Sequence, residues 1–238
     1  MKIIDVALLP NVVNHQLVTG SVAIIIDVLR ASSSILTALS NGAKQVIPVN
    51  EPEEAKELAK RFPAGEVLLC GERDGNKISG FDLGNSPLEF GKEIVAGKTL
   101  IMSTTNGTKA CHSAQNASSA VIGCFLNLTA ISDTVKQTNE NILLITSGKE
   151  GKFSLEDTVC AGALVDKLNA ENEFALTDAA RVAQILYTIY KFNLRQMFAT
   201  CEHGLYLASL GYEPDLDYCA QVDTISLVPK FTSGIITI

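Results

Sequence analysis

The sequence predicts an α/β protein with a largely parallel or mixed sheet that carries helices on both sides. Three observations lead there. Short Val- and Ile-rich runs recur along the chain, amphipathic helical patterns fill the gaps, and polar, mostly glycine-bearing loops leave the ends of several runs. Near-continuous apolar runs suit strands covered on both faces, whereas a half-exposed strand alternates. Strand–loop–helix alternation then puts helices on both sides of the sheet.

In chain order, MKIIDVALLPN reads as an opening strand; its apolar run is too short, and broken by Asp5, for a signal peptide. Further strands are expected at Ser21–Asp27, Gln45–Val49, Glu66–Cys70, Thr99–Ser103, Ala120–Gly123 and Asn141–Thr146. Helices are expected at Ser33–Ser40, Glu53–Phe62, Thr108–Gln115, Leu128–Thr138 and Leu155–Asn169. After Glu173 the pattern changes to two helices, Thr177–Tyr190 and Leu194–Leu210, closed by strand-like runs Thr224–Val228 and Gly234–Ile238. No Pro/Gly/Ser-rich linker interrupts the chain, so residues 1–238 read as one domain. Segments 23–58 and 99–135 share the same order of elements, with a partial third copy in 142–168. That weak echo leaves open a duplication into interlocked halves, roughly 1–97 and 98–238.

Composition narrows the function. Charged residues form 19% of the 238, below the roughly 25% of an average domain, and 47% are hydrophobic, so disorder is excluded. No stretch approaches the ~18 apolar residues of a membrane span. With 19 basic and 26 acidic side chains the formal charge is -7, which argues against a nucleic-acid partner. Such a protein binds an anion only by gathering cations and backbone N–H groups locally, or by recruiting a metal. Six cysteines without a CxxC pair read as reduced thiols in a cytoplasmic protein, and three histidines leave little scope for a zinc site.

Four loops hold the chemistry-bearing residues. In DVLRASSS, Asp27 closes an apolar strand and Arg30 precedes a hydroxyl run that opens a helix. A carboxylate, a guanidinium and helix N-terminal donors can grip an anion beside a metal. The plainer reading is a Ser cap with an Asp27–Arg30 pair. The loop lacks the second Asp, two residues on, of a haloacid-dehalogenase nucleophile. In STTNGTKA, Thr104, Thr105, Asn106, Gly107 and Thr108 offer small donors for a phosphate or sulfonate, or simply a turn with a Thr cap. This is not a Walker loop, because GxxxxGK[ST] is absent.

The third loop, TSGKEGKFSLEDTVCAG, supplies Ser147, Gly148 and a cationic turn, then Glu156 and Asp157. Ser154 and Asp157 have capping-box spacing. Paired carboxylates beside anion-type loops are costly without a cation, and Mg²⁺ takes such oxygens together with water and substrate oxygen. The fourth, GERDGNKISGFDLGNSPLEF, is long and glycine-rich, as a lid or binding loop would be. It carries Glu72, Arg73 and Asp82 and ends in Ser86, Pro87 and Glu89, a cap, first helical position and box. Its plainer reading is an exposed connection. Cys160 reads as helix packing, and His203 and His15 have no acid–base context in the sequence.

Taken together, DVLRASSSI, GERDGNKISGFDLGNSP, TTNGT and SLEDTVCAG resemble, in order and spacing, the 2-phosphosulfolactate phosphatase family across nearly the whole chain. The resemblance implies a Mg²⁺-dependent hydrolase of coenzyme M formation that converts (2R)-2-phospho-3-sulfolactate to (2R)-3-sulfolactate and phosphate, and a three-layer fold. On that reading Asp27, Arg30 and Asp157 are catalytic, and Asp27, Asp82, Glu156 and Asp157 hold the metal. Arg73, Thr104, Thr105, Asn106, Gly107, Thr108, Ser147 and Gly148 bind substrate. A metal-activated water is the preferred nucleophile, and attack by Asp27 through an aspartyl phosphate is its rival. Two alternatives stay open, a phosphatase of another small 2-phospho acid and a non-catalytic anion-binding protein. The apolar helices after Glu173 leave room for a homodimer.

Overall fold

A computed structural model describes residues 1–171 and 173–238. The strands are β1 (Lys2–Ala7), β2 (Ser21–Ile26), β3 (Gln45–Val49), β4 (Val67–Arg73), β5 (Asn76–Lys77), β6 (Thr99–Ser103), β7 (Ser119–Gly123), β8 (Asn141–Thr146), β9 (Phe174–Leu176), β10 (Lys230–Thr232) and β11 (Ile235–Thr237). The helices are α1 (His15–Val18), α2 (Ala31–Ser40), α3 (Pro52–Ala59), α4 (Lys92–Val95), α5 (Gly107–Ser113), α6 (Leu128–Lys136), α7 (Leu155–Leu168), α8 (Asp178–Tyr190), α9 (Leu194–Thr200), α10 (Glu202–Ser209) and α11 (Glu213–Cys219). No described helix is long and apolar enough to cross a membrane.

The strands form one sheet in the order β5-β4-β6-β3-β11-β10-β7-β2-β8-β1-β9. Its core strands are buried on both faces because consecutive side chains point to opposite sides. In β2, Val22, Ile24 and Ile26 enter one core with α6, α7 and α8, while Ala23 and Ile25 enter a second with α2 and α5. In β6, Leu100 and Met102 join that second core, and Ile101 faces a third, beside α3. Helices therefore cover both faces, and the three-layer α/β/α expectation holds. Each fully buried Ile of β2 contributes about 1.5–3 kcal/mol by leaving water, so β2 is a firm base for the loop that follows it.

The sheet has two parallel groups, β4-β6-β3 and β7-β2-β8-β1-β9. The hairpin β10–β11 bridges them and is antiparallel to both neighbours, so the groups run in opposite directions along the ladder. These groups do not divide at residue 97. β1 and β2 lie with β7 and β8, and β6 lies with β3 and β4. The bridge is short: β11 meets β3 at one register pair, Ile236 with Val46. The loop after β6 lies against the loop after β2. A Cβ built on Gly107 would stand 2.8 Å from Ala31 Cβ and 2.9 Å from Asp27 Oδ2.

Several expectations need correction. Thr224–Val228 is extended but joins no strand; Ile225 N–H donates to Leu126 O and Asn127 Nδ2 to Leu227 O, which tie it to the protein as a strap. The single helix expected over Leu194–Leu210 breaks at Cys201, whose extended backbone (ψ 154°) ends α9 and whose thiol accepts Gly204 N–H as the cap of α10. Pro87–Glu89 forms only a 3₁₀ turn, with Ser86 as its cap. All six cysteines are buried and unpaired, and burial pushes the Cys160 thiol well above its ordinary value.

Candidate active site

Loops leaving the ends of β2, β4, β6 and β8 meet at a cleft. Its walls are Asp27, Leu29 and Arg30 after β2, and Glu72, Asp74 and Gly75 at the end of β4. Asn85, Thr104–Asn106, Lys149, Glu150 and the α10 residues His203 and Tyr206 complete them.

Asp27 is held by its own helix. Its Oδ1 accepts Ala31 N–H at 3.2 Å, and its own N–H donates to Ser32 Oγ at 3.0 Å. Opposite it, Glu72 accepts Gly75 N–H at 2.9 Å and Thr105 N–H at 2.8 Å, so one carboxylate ties the β4 and β6 loops together. Arg30 is buried: Nη1 donates to Asp215 Oδ2 at 2.7 Å, Nη2 to Gly75 O at 2.8 Å, and the guanidinium lies over the Tyr212 ring at 4.2 Å. Asp215 also accepts from Ser86 Oγ at 2.6 Å, which joins the GFDLGNSP segment to α11. Lys149 Nζ rests over the Tyr206 ring at 4.6 Å and 3.9 Å from Glu202.

Asp157 lies beneath Asp27 and does not line the cleft. Its Oδ1 accepts Val28 N–H at 2.8 Å and its Oδ2 accepts the Ser147 hydroxyl at 2.9 Å. Ser154 Oγ accepts the Asp157 N–H, so the capping expectation is met by the backbone while the carboxylate reaches elsewhere. Glu156 turns the other way, with Oε1 3.3 Å from His203 Nδ1.

Besides Asp157 and Glu156, four more residues predicted to touch metal or substrate are placed elsewhere. Asp82 is exposed and its carboxylate accepts Leu69 N–H at 2.8 Å, well inside β4. The Arg73 fork is spent on Glu72 O, Asn50 O and Ser103 Oγ, outside the cleft. Gly148 provides a turn at φ +64°, where a Cβ would meet Lys152 O at 2.5 Å. Thr108 donates to Val49 O. Thr105 N–H, expected to cradle an anion, serves Glu72 instead, and Asn106 Oδ1 accepts Glu150 N–H.

Set against known proteins, residues 7–234 match the family model described as 2-phosphosulpholactate phosphatase. Three relatives carry the name probable 2-phosphosulfolactate phosphatase. That of Caldanaerobacter subterraneus subsp. tengcongensis is 42% identical over 226 residues, covering 95% of this chain and 94% of its own. Those of Clostridium perfringens (strain SM101) and Clostridium acetobutylicum are 41% and 37% identical, covering 97% of this chain and 94% and 98% of theirs.

This chain belongs to the 2-phosphosulfolactate phosphatase family. The family consists of phosphoric monoester hydrolases, and the cleft has the electrostatics such chemistry needs. Burial pushes Asp27 up to about 6; the His203 charge and the Ala31 N–H oppose that, and Glu72 adds to it. Asp157 is raised well above the carboxylate range by burial, then by the charges of Asp27 and Glu156. Burial also pushes Glu156 upward, but the His203 hydrogen bond and charge outweigh it and hold the carboxyl low.

Among the described residues two buried side-chain oxygens, Asn85 Oδ1 and Thr105 Oγ1, lack a hydrogen-bond partner, and both residues line the cleft. Buried polar atoms are rarely left so. Together with Asp27 and Glu72 they form an all-oxygen donor set, which fits a hard cation in kind. Among the described residues no three His, Cys, Asp or Glu side chains converge as a ready-made cage. Mg²⁺ does not need one, since it keeps waters and takes one or two carboxylates.

The sequence reading missed Glu72 as a site residue, together with Asn85, Lys149, His203, Tyr206 and Asp215. Glu72 stood out as a reactive type in a loop already singled out, and Lys149 belongs to the cationic turn of the third loop. His203, Tyr206 and Asp215 come from helices with no local signature.

Proposed function

We propose that the chain hydrolyses the phosphate ester of (2R)-2-phospho-3-sulfolactate, giving (2R)-3-sulfolactate and phosphate, with Mg²⁺ as cofactor. Family membership supports the reaction, and one structural observation carries it: two acidic walls, Asp27 and Glu72, face one cleft that also presents Arg30, Lys149 and His203. A substrate bearing phosphate, carboxylate and sulfonate meets cations there, yet the carboxylates repel it unless a metal neutralises them. Asp27 and Glu72 are the residues that would hold Mg²⁺, with Asn85 Oδ1 and Thr105 Oγ1 as neighbouring oxygens. Bound there, the ion would supply charge neutralisation for the phosphoryl group.

The chain's own residues do the rest. Arg30, locked by Asp215 and Gly75, presents a fixed positive charge to an anionic group, which limits the reorganisation needed at the transition state. Asp157 fixes the loop backbone at Val28 and so sets where Asp27 points. Lys149 closes the cleft from the β8 loop and faces the far end of the substrate. Phosphoryl transfer asks mainly for positioning and charge stabilisation, and this cleft offers both. Water is the nucleophile in this reading. The six unpaired, buried thiols support a cytoplasmic setting, and the family resemblance supports a place in coenzyme M formation.

The test is phosphate release from 2-phospho-3-sulfolactate and from 2-phospholactate, with Mg²⁺ and with chelator. Release at least tenfold faster from the sulfonate, abolished by chelator, is expected. Equal rates would move the reading to another small 2-phospho acid, and tight metal-independent binding without turnover would make the chain a binding protein.

A further inference from the structure

His203 lines the cleft at the first turn of α10, alongside Asp27, Arg30 and Tyr206. Its Nδ1 is turned away from that company, 3.3 Å from Glu156 Oε1, and the Glu156 side chain is only 3% exposed. A carboxylate on one ring nitrogen fixes the tautomer and the orientation of an imidazole. Nε2 is therefore the nitrogen left for the cleft. Glu156 reaches this position because α7 starts beside α10, with Ser154 capping its first turn. Glu156 also meets the Ser154 hydroxyl, its own backbone N–H and the Cys201 thiol, but unlike Asp157 it ties down no distant loop, and His203 packs at the cleft surface.

The hydrolase reading, on which this inference rests, leaves one need unmet. The bond to be broken joins phosphorus to the oxygen of an aliphatic secondary alcohol, a poor leaving group as a bare alkoxide. Arg30 cannot release a proton at working pH, and in the proposed function Lys149 is engaged by the anionic group at the far end of the substrate. We propose that His203 is the general acid that protonates the departing alcohol oxygen, with Glu156 as its positioning residue. Water attacks phosphorus, the P–O bond to the alcohol oxygen breaks, and its electron pair stays on that oxygen. The oxygen takes the proton from His203 Nε2. The product phosphate leaves the attack step as the dihydrogen form, and one of its protons returns to His203, restoring the imidazolium with no net change in the enzyme. The same role serves if Asp27 attacks in place of water, since the leaving group is unchanged.

A general acid of this kind is worth roughly 10²–10⁴-fold, and its loss is felt in proportion to the basicity of the leaving group. The experiment compares 2-phospho-3-sulfolactate with its 3,3-difluoro analogue, which keeps all three anionic groups but has a far more acidic alcohol. His203→Gln is expected to lower kcat at least 100-fold on the parent and less than tenfold on the analogue. Glu156→Gln should show the same split with a smaller loss, about tenfold on the parent, and covers the case in which His203→Gln does not fold. Equal losses on the two substrates in either folded variant would overturn the assignment and leave His203 a binding or packing residue. A wild-type enzyme inert toward both would instead sink the hydrolase reading, and the general acid with it.

Discussion

The Val28 N–H donates to Asp157 Oδ1 at 2.8 Å, fastening the loop that carries Asp27 to the first turn of α7. This makes the Asp157 carboxylate a backbone anchor, and the prediction separates that role from metal ligation. Asp157→Asn keeps an oxygen for the Val28 N–H and should retain activity within about tenfold, with an unchanged Mg²⁺ midpoint. Asp157→Ala removes the anchor and should lose at least 100-fold. If Asn and Ala are equally inactive and both shift the Mg²⁺ titration, the charge itself is needed and Asp157 belongs with the metal.

Asp27 predicts a pH dependence. Its folded value, about 6, lies above the ordinary 3.8 because of burial. The folded state therefore binds more protons than the unfolded one between those values, and the stability this contributes is lost as pH rises through 6. Linkage makes the whole contribution on the order of 3 kcal/mol, of which about 1 kcal/mol remains to be lost above pH 5.5, and Asp157, also raised, acts in the same direction. Glu156, held low, works oppositely but only at more acidic pH. Metal-free protein should thus melt higher at pH 5.5 than at pH 7.5, and excess Mg²⁺ should recover the loss at pH 7.5. A flat melting profile in chelator, from pH 5.5 to 7.5, would contradict the buried, uncompensated carboxylate. Asp27→Asn should abolish the activity and reduce the slope to the share that Asp157 contributes.

Arg30 and Asp215 form a buried pair whose side chains are each 2% exposed. Removing one partner leaves an uncompensated interior charge, which costs about 3–5 kcal/mol. Asp215→Ala should therefore unfold at much lower denaturant, visible by circular dichroism. Arg30→Lys preserves the charge but cannot reach both Asp215 and Gly75 O with one planar fork. It should stay folded and lose at least 100-fold in kcat/KM. A folded, fully active Arg30→Lys would show that only net charge matters at that wall.

Much of the fold could be read from the chain, and the reason is local. β6 and β8 begin and end where their apolar runs do, because both faces of each strand are buried and nothing but length and composition bounds them; β3 also follows its run, although Gln45, Ile47 and Pro48 are only half-buried. The loops after β2, β6 and β8 were legible for the same reason, since strand ends set their start. What was not legible depends on distant partners. Asp82 and Arg73 have reactive side chains in a suggestive segment, yet each is drawn away by backbone groups of β4 and β3 that only the folded sheet places beside them. His203 gives no sign in sequence because Glu156, the residue that orients it, lies 47 positions earlier. Thr224–Val228 has strand composition, but its bonds go to single groups on Leu126 and Asn127, not to a ladder.

Asp82 supplies a prediction that follows from its placement. Its carboxylate accepts the Leu69 N–H in a half-exposed stretch of β4. Asp82→Asn should leave kcat and Mg²⁺ dependence within twofold, and Asp82→Ala should cost only about 1 kcal/mol of stability. Loss of Mg²⁺ activation in Asp82→Asn would restore it to the metal set.

In the proposed function Lys149 meets the far end of the substrate. It comes from the β8 loop, where Lys149 and Lys152 pair their backbones to form a tight turn, and Gly148 allows that turn at φ +64°. Its ammonium lies over Tyr206 and 3.9 Å from Glu202, whose side chain is 78% exposed. So loose an ion pair is worth at most about 1 kcal/mol, and a sulfonate entering the cleft can take its place at little cost. Arg30, by contrast, is fixed and cannot follow the substrate. Lys149→Met keeps the contact with the Tyr206 ring and removes only the charge. It should raise KM for 2-phospho-3-sulfolactate at least tenfold, leave KM for 2-phospholactate within about threefold, and change kcat little for either. Loss of preference for the sulfonate is the decisive readout. An equal rise in both KM values would mean that Lys149 meets the phosphate or carboxylate common to the two, and the sulfonate would then have to be recognised by another cleft cation.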